Sequence, residues 1–240
     1  AVAARTQTIT LGTTSWLLPI RNALLAAEQA AVLDNLCKGR LILGLGRGFQ
    51  PGMLEAFGVN IRDKREKFAE ILDAMLAAWR GEFVGSPERL MELTPLPLQQ
   101  PHPPLWVAAF GPKAIAQVAA LGLPYLASPL ETFEELQENF GRHGELMEAA
   151  GHQALDTVAV MRTVFISDDD TRCEQVRDKM ADSQWRGWCM IGSSAEVEEQ
   201  LALYRQQLGM THLIAVMPRV SGIREAWNRE SLAQLIALKN

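Results

Sequence analysis

The sequence predicts an α/β fold built on a parallel sheet. Three observations carry that prediction. Strand-like and helix-like stretches alternate along the chain in the order β-α-β-α-β-α-β-α-β-α-α-β-α. The segments joining successive strands are of helical length, as right-handed parallel crossovers require. Leu41-Ile42-Leu43-Gly44-Leu45 is apolar at successive rather than alternate positions, which suits a strand covered on both faces. Six strands are legible, and no repeat or low-complexity linker interrupts them, so residues 1–240 read as one domain.

The opening Ala1-Val2-Ala3-Ala4 has the look of a helix end. Thr8 to Ser15 alternates, giving a strand over about 7–14, followed by a loop carrying Trp16. Asn22 suits the N-cap of a helix over 23–36, with Leu24, Ala27, Ala31, Leu33 and Leu36 as its apolar positions and Gly39 as its stop. A strand follows over 40–46, then an irregular segment over 50–58. Asp63 to Trp79 forms an amphipathic helix with Phe68, Ile71, Leu72, Met75, Leu76 and Trp79 along one side. Pro87, Pro95, Pro97, Pro101, Pro103 and Pro104 make 81–104 an extended loop. Leu105 to Phe110 is the next strand, and Gly111-Pro112 turns it into a helix over 113–121. A short strand spans 124–129. Thr132, with Glu135 three residues on, opens a capping-box helix over 133–150. A strand over 157–166, helices over 171–181 and 195–208, a strand over 212–216 and a helix over 225–238 complete the order. Trp185 to Met190 carries no assignable pattern.

Composition narrows the function classes. Hydrophobic residues make up 48% and charged residues 21%, an ordinary globular balance. The net charge of −5, with no basic stripe, speaks against a nucleic-acid binder. No apolar run is long enough for a membrane span and no signal peptide is visible. Cys37, Cys173 and Cys189 share no metal or redox spacing, which suits a reduced, cytoplasmic protein. His102, His143, His152 and His212 share no ligand spacing either, so no metal site is expected. Asp168-Asp169-Asp170 reads as a solvated helix start. Glu28 and Asp34 read as polar-face or interface residues of their helix, and Cys37 as packing at its end.

Two strand ends carry candidate chemistry. In Gly44-Leu45-Gly46-Arg47-Gly48 an arginine fork, suited to a phosphate, stands between glycines that let a backbone approach a ligand. In Phe110-Gly111-Pro112-Lys113-Ala114 a helix begins just after a glycine, offering backbone N–H groups to an anion. Ligands in parallel α/β folds bind at the C-terminal ends of strands, where both segments fall. The alternative for each is structural: a glycine-rich corner with a surface arginine, and a solvated lysine at a helix start. Neither segment is a dinucleotide fingerprint or a P-loop, since no G-x-G-x-x-G or Gly-Lys-Ser/Thr occurs there.

The run from Thr8 through Leu11-Gly12-Thr13-Thr14-Ser15-Trp16-Leu17-Leu18-Pro19 and from Ala27 to Arg47-Gly48 resembles the bacterial luciferase-like flavin monooxygenase family. Glu55-Ala56-Phe57-Gly58, Trp79-Arg80-Gly81, Gln100 to Val107 and Ile191-Gly192 fit the same pattern. The resemblance implies a TIM (β/α)8 barrel in which the first two barrel strands, with the catalytic histidine and several pocket residues, precede the segment matching Thr8. The barrel is thus expected to be N-terminally incomplete, with catalytic residues unknown.

The resemblance further implies reduced FMN, or the deazaflavin F420, bound at the C-terminal face. Arg47 would contact the flavin phosphate. Phe110, Gly111, Pro112, Lys113 and Ala114 would hold the phosphate and ribityl chain. Thr14-Ser15 matches the site of a non-proline cis peptide beneath the flavin ring, and Trp16 would line the substrate pocket. Lys113 stands where the family often carries a hydroxyl residue, and 182–190 is short where the family carries its lid. The implied activity is a monooxygenase acting with O2 on a small organic substrate. F420-dependent hydride transfer and a non-catalytic flavin-binding relative are the alternatives. A flavin reductase and a second copy of the chain are the implied partners.

Overall fold

The structure is a computed structural model, describing residues 1–86, 88–181 and 189–238. Backbone contacts divide the chain into two compact units, Ala1–Ala108 and Ala109–Asn240.

The first unit begins with α1 (Val2–Arg5) and is organised on β3 (Leu41–Gly46). The strand expected over 7–14 is shorter and broken. Only β1 (Leu11–Gly12) pairs there, with Leu41 and Ile42 of β3. The chain then kinks and rejoins β3 as β2 (Trp16–Leu17), opposite Leu45 and Gly46. Trp16, expected in a loop, is therefore a strand residue. On its other side β3 pairs in parallel with β6 (Leu105–Ala108) through Leu43, Gly44 and Leu45. Arg40 ties the first residues down: Nε donates to Cys37 O at 2.8 Å, and the remaining guanidinium N–H groups reach Ala3 O, Thr6 Oγ1, Thr6 O and Ile9 O.

Helix α2 (Ala23–Leu36) is capped by Asn22 as expected, its Oδ1 accepting from Leu25 N at 3.1 Å. Of the apolar positions read from the sequence, Ala27 and Ala31 lie on its buried face and Leu36 does not. Ala26, Ala27, Ala30, Ala31 and Asp34 are buried, while Leu25 and Leu36 are exposed. Small residues let α4 (Lys64–Trp79) approach closely, and the buried Trp79 donates its indole N–H to Ala27 O at 3.1 Å. Asp34 is fully buried rather than facing outward. Its carboxylate accepts from Gln99 N at 2.8 Å and Gln99 Nε2 at 2.7 Å, anchoring the proline-rich segment to α2. The segment expected to be irregular carries a short helix, α3 (Pro51–Ala56). The expected extended loop contains an antiparallel hairpin of β4 (Val84–Ser86) and β5 (Arg89–Met91).

The second unit is organised on β8 (Ala159–Ile166), seven of whose eight residues are buried. β7 (Tyr125–Ala127) pairs in parallel with Ala159 and Val160, and β10 (His212–Val216) pairs in parallel with Ala159 to Thr163. β9 (Cys189–Gly192) pairs in parallel with its second half, from Thr163 to Ile166. β9 covers part of the stretch that the sequence left unassigned; residues 182–188, with most of the expected short lid, lie outside the described residues. Helices α5 (Pro112–Ala120), α6 (Phe133–Ala149), α7 (Asp170–Ala181), α8 (Ser194–Leu208) and α9 (Glu225–Ala237) alternate with these strands. The Thr132–Glu135 capping box forms as expected. A second one, Ser193–Glu196, opens α8 at Ser194, one residue before the expected helix over 195–208. Phe165, Cys173, Val176, Met180 and Ile191 make one core cluster, with Val220, Ile223 and Trp227 packed against it.

Candidate functional site

In the first unit the sequence brings four features to the C-terminal end of β3. First, the Thr14–Ser15 peptide is cis, at the kink between β1 and β2. Thr13 holds that kink through its hydroxyl, which donates to Gly44 O at 2.9 Å.

Second, Ser15 sits directly on Gly46. A Cβ at Gly46 would collide with Ser15 Oγ and come within 3.0 Å of both Ser15 Cβ and Leu17 Cδ2, so only glycine leaves room for the Ser15 side chain.

Third, Arg47 is buried, with 6% of its surface exposed, rather than being a surface arginine. Its Nη2 donates to Ala108 O at 2.9 Å, and its guanidinium carbon lies 5.6 Å from the centre of the Phe68 ring. Burial, reinforced by the positive charge of Arg65, holds its pKa down at about 10, so it remains a cation at neutral pH.

Fourth, Lys64, the first residue of α4, donates from Nζ to Gly48 O at 2.9 Å. Its pKa is lowered by burial and then by the charges of Arg47 and Arg65. Sequence reading missed Lys64 and Arg65 as members of this group. Their only signal was a basic pair opening an amphipathic helix, which is common on solvated helices. Like charges repel one another, so three cations within mutual reach suit an anion.

Trp16 stands next to Ser15 in β2. One face of its ring is covered by Arg21, whose guanidinium carbon is 4.3 Å from the ring centre. Trp16 as a whole is half-buried.

In the second unit the segment 110–114 takes the strand-end-to-helix form expected. Phe110 is 63% exposed. Gly111, at φ +79°, is the N-cap of α5, and its carbonyl accepts from Ala114 N at 3.0 Å and Ile115 N at 3.1 Å. Nothing lies within 4 Å of where its Cβ would be, so positive φ rather than crowding selects glycine there. Pro112 occupies the first turn, where its missing N–H costs nothing, and Lys113 is exposed.

A buried polar network that sequence reading missed follows β7. The fully buried Glu131 carboxylate accepts from Tyr125 Oη, from Ser128 N at 2.6 Å and from Asn139 Nδ2 at 2.6 Å. Burial pushes its pKa up, against the pull of those donors. The equally buried Arg162, on β8, donates to Glu131 O at 2.8 Å, Ser128 O at 3.2 Å, Met161 O at 2.9 Å and Tyr204 Oη at 3.0 Å. Together they hold the 128–131 turn from both sides.

A cavity of about 660 Å³, lined among others by Phe140, His143, Met147, Leu155 and Leu208, opens at the other end of β8, beside Thr157 and Val158. Among the described residues no group of three or more His, Cys, Asp or Glu is placed to hold a metal, and no helix is long and apolar enough to cross a membrane.

Parallel strands alternating with helices define a protein of the (β/α)-barrel class, with a buried cation at the C-terminal end of one strand. The luciferase-like monooxygenase family model matches residues 1–181, and the chain belongs to that family. The oxygenase component of a flavin-dependent trigonelline monooxygenase from Acinetobacter baylyi is 25% identical over 186 residues, 75% of this chain and 52% of that protein. The chain spans about half the length of the curated relatives it matches over most of its own length.

Two solved structures share the fold. One is the oxygenating constituent of 3,6-diketocamphane monooxygenase from Pseudomonas putida, a type II Baeyer-Villiger monooxygenase in complex with FMN. It aligns with a TM-score of 0.80 at 17% identity, over 97% of this chain and 79% of that one. The other is the coenzyme F420-dependent tetrahydromethanopterin reductase from Methanopyrus kandleri, with a TM-score of 0.67 at 15% identity, over 95% and 81%.

Proposed function

We propose that this chain is part of a flavin-dependent oxidoreductase, a monooxygenase that uses reduced FMN and O2 on a small organic substrate. The carrying observation is the buried Arg47 guanidinium at the C-terminal end of β3, grouped with Lys64 and Arg65. Excess positive charge behind a glycine-lined strand end fits the phosphate of a flavin mononucleotide. The Ser15–Gly46 contact supports a flavin ring platform, because it sets the Ser15 side chain directly against the strand end. Gly111 and the start of α5 offer backbone N–H groups suited to the phosphate and ribityl chain, together with Phe110, Pro112, Lys113 and Ala114. Trp16 is the proposed wall of the substrate pocket.

Reduced flavin would supply the electrons that activate oxygen. The chain's own residues bind the phosphate, orient the ring and exclude water. Residues 1–240 are read as one luciferase-like barrel domain, which a family match running past the boundary between the two units supports. A flavin reductase is the proposed electron source. A homodimer is the proposed assembly, through the exposed Leu25, Val32 and Leu36 face of α2 with Leu96 and Leu98 beside it. Cys37, Cys173 and Cys189 are free thiols, which fits a cytoplasmic setting.

The test is flavin binding by calorimetry and fluorescence quenching, with FMN oxidised and reduced. Wild type binds FMN and Arg47→Ala binds it at least tenfold more weakly, as expected for loss of a charge-assisted pair of about 1.5–3 kcal/mol. A folded wild type that binds FMN in neither state refutes the reading. Oxygen consumption with reduced FMN then separates a monooxygenase from F420-dependent transfer and from a non-catalytic relative.

A further inference from the structure

The cavity of about 660 Å³ lies within the second unit and plays no part in the flavin reading. It is walled by α6, the end of α8 and the segment 152–158, beside the starts of β7 and β8. Cofactors of this fold class bind at the opposite, C-terminal ends of strands. Its volume falls within the roughly 300–1,000 Å³ typical of small-molecule sites.

Its inner wall is aromatic: the Tyr125 ring centre stands 4.8 Å from that of Phe140 and 6.1 Å from that of His143. His143 is only 7% exposed. Its Nε2 lies 3.0 Å from Leu123 O, and a carbonyl only accepts, so Nε2 carries the proton. Burial lowers the His143 pKa, so the ring is neutral at neutral pH and Nδ1 bears a lone pair. Among the described residues nothing donates to that nitrogen. A buried acceptor without a partner costs stability, which a ligand's donor would recover. His152, on the same cavity, offers no such acceptor. Its Nε2 donates to Ala120 O at 3.1 Å, and its Nδ1 is packed on Gly122, where a Cβ would come within 2.8 Å of it.

α6 keeps the room open. Gly141 and Gly144 line the cavity at helical spacing, both outside the left-handed region, and nothing lies within 4 Å of where either Cβ would be. Neither backbone shape nor crowding selects glycine there, and each weakens the helix relative to alanine. Charge narrows the ligand. No Lys or Arg is among the described residues lining the cavity, and Glu148 stands exposed beside it, so an anion is disfavoured. A cation would lack a counter-charge at the depth of His143.

We propose that this cavity is a second ligand site, taking a neutral, flat aromatic molecule whose single N–H or O–H donor bonds Nδ1 of His143 while its ring lies over Gly141 and Gly144. Met147, Leu155 and Leu208 supply apolar walls. The site is independent of the flavin reading and takes a ligand of different chemistry.

The experiment measures binding of three probes at neutral pH by calorimetry and ligand-observed NMR, with and without saturating FMN. Indole is flat, neutral and carries one donor. 1-Methylindole lacks the donor. Indole-3-carboxylate keeps it and adds a negative charge. Two variants locate the site. His143→Gln keeps an N–H for Leu123 O and removes the Nδ1 acceptor. Gly144→Leu fills the space over α6 without a clash at Cβ. Indole is expected to bind wild type equally well with and without FMN, with 1-methylindole and indole-3-carboxylate each roughly three- to tenfold weaker. His143→Gln is expected to lose the preference for indole over 1-methylindole. Gly144→Leu is expected to melt at or above the wild-type temperature and to lose indole binding, a combination that general damage to the fold does not produce.

No indole binding by wild type overturns the inference. So does indole binding that both variants leave unchanged, or a preference for 1-methylindole or the carboxylate. A Gly144→Leu protein whose mass in analytical ultracentrifugation differs from wild type, with no indole bound by either, would make the cleft an interface between copies and likewise overturn it. None of these results bears on FMN binding, which is read separately with Arg47→Ala.

Discussion

Gly46→Ala tests the packing that joins the kinked strand to the end of β3. Gly46 lies outside the left-handed region of backbone space, so alanine adds no backbone strain there. The whole effect comes from the new methyl group. It would collide with Ser15 Oγ and approach Ser15 Cβ and Leu17 Cδ2 at 3.0 Å. Ser15 directly precedes β2 and Leu17 pairs with Gly46 in the ladder, so neither yields without moving β2. Overpacking of this kind costs about 1–3 kcal/mol. In a chain of this size each kcal/mol lowers the melting temperature by about 2–4 °C, so a fall of roughly 2–12 °C is expected.

Two companions separate this account from a generic glycine effect. Gly52→Ala makes the same chemical change in α3, where nothing lies within 4 Å of the new methyl group. It should be neutral or stabilising by up to about 1 kcal/mol. Ser15→Ala combined with Gly46→Ala removes the hydroxyl that collides first, and should recover part of the loss in a double-mutant cycle. Differential scanning fluorimetry reads all three. A Gly46→Ala protein that melts within 1 °C of wild type, or no coupling with Ser15→Ala, refutes the reasoning.

Three other perturbations have defined outcomes. Asp34→Ala leaves Gln99 N without its carboxylate partner and should cost about 2–4 kcal/mol in urea unfolding, against a smaller loss for Asp34→Asn, which keeps an acceptor. Thr132→Ala removes the acceptor for Glu135 N and should cost about 1 kcal/mol, and unfolding curves that coincide with wild type would show that the capping box contributes nothing. Glu131 has a folded pKa above the usual 4.5, so the folded state holds its proton more tightly than the unfolded chain. Its contribution to stability is therefore present below 4.5 and is lost as pH rises from there through the folded value. Wild-type stability minus that of Glu131→Gln should fall over that interval, and a difference that rises or stays flat would show that the carboxylate's donors outweigh its burial.

Sequence pattern settled what depends on local periodicity. The parallel α/β order, the Asn22 cap, the Thr132–Glu135 box and the strand at Leu41–Gly46 each follow from a few consecutive residues. The resemblance carried by Thr8 to Gly48 gave the family and pointed to Thr14–Ser15, where the peptide is indeed cis. Tertiary structure decided what depends on partners distant in the chain. Periodicity placed Ala27 and Ala31 on the buried face of α2 correctly but put Leu36 with them, whereas the close approach of Trp79 favours alanines and leaves Leu36 outside. Asp34 read as a polar-face or interface residue until Gln99, sixty-five residues on, supplied its donors. Glu131 and Arg162 carried no signal at all, because a charge is buried only where several separate elements converge on it. Arg47 was legible as a candidate, but its burial and its grouping with Lys64 came only from folding β3 against α4. The sequence thus determined which segments form; the meeting of those segments determined where charge is concentrated, and with it the proposed site.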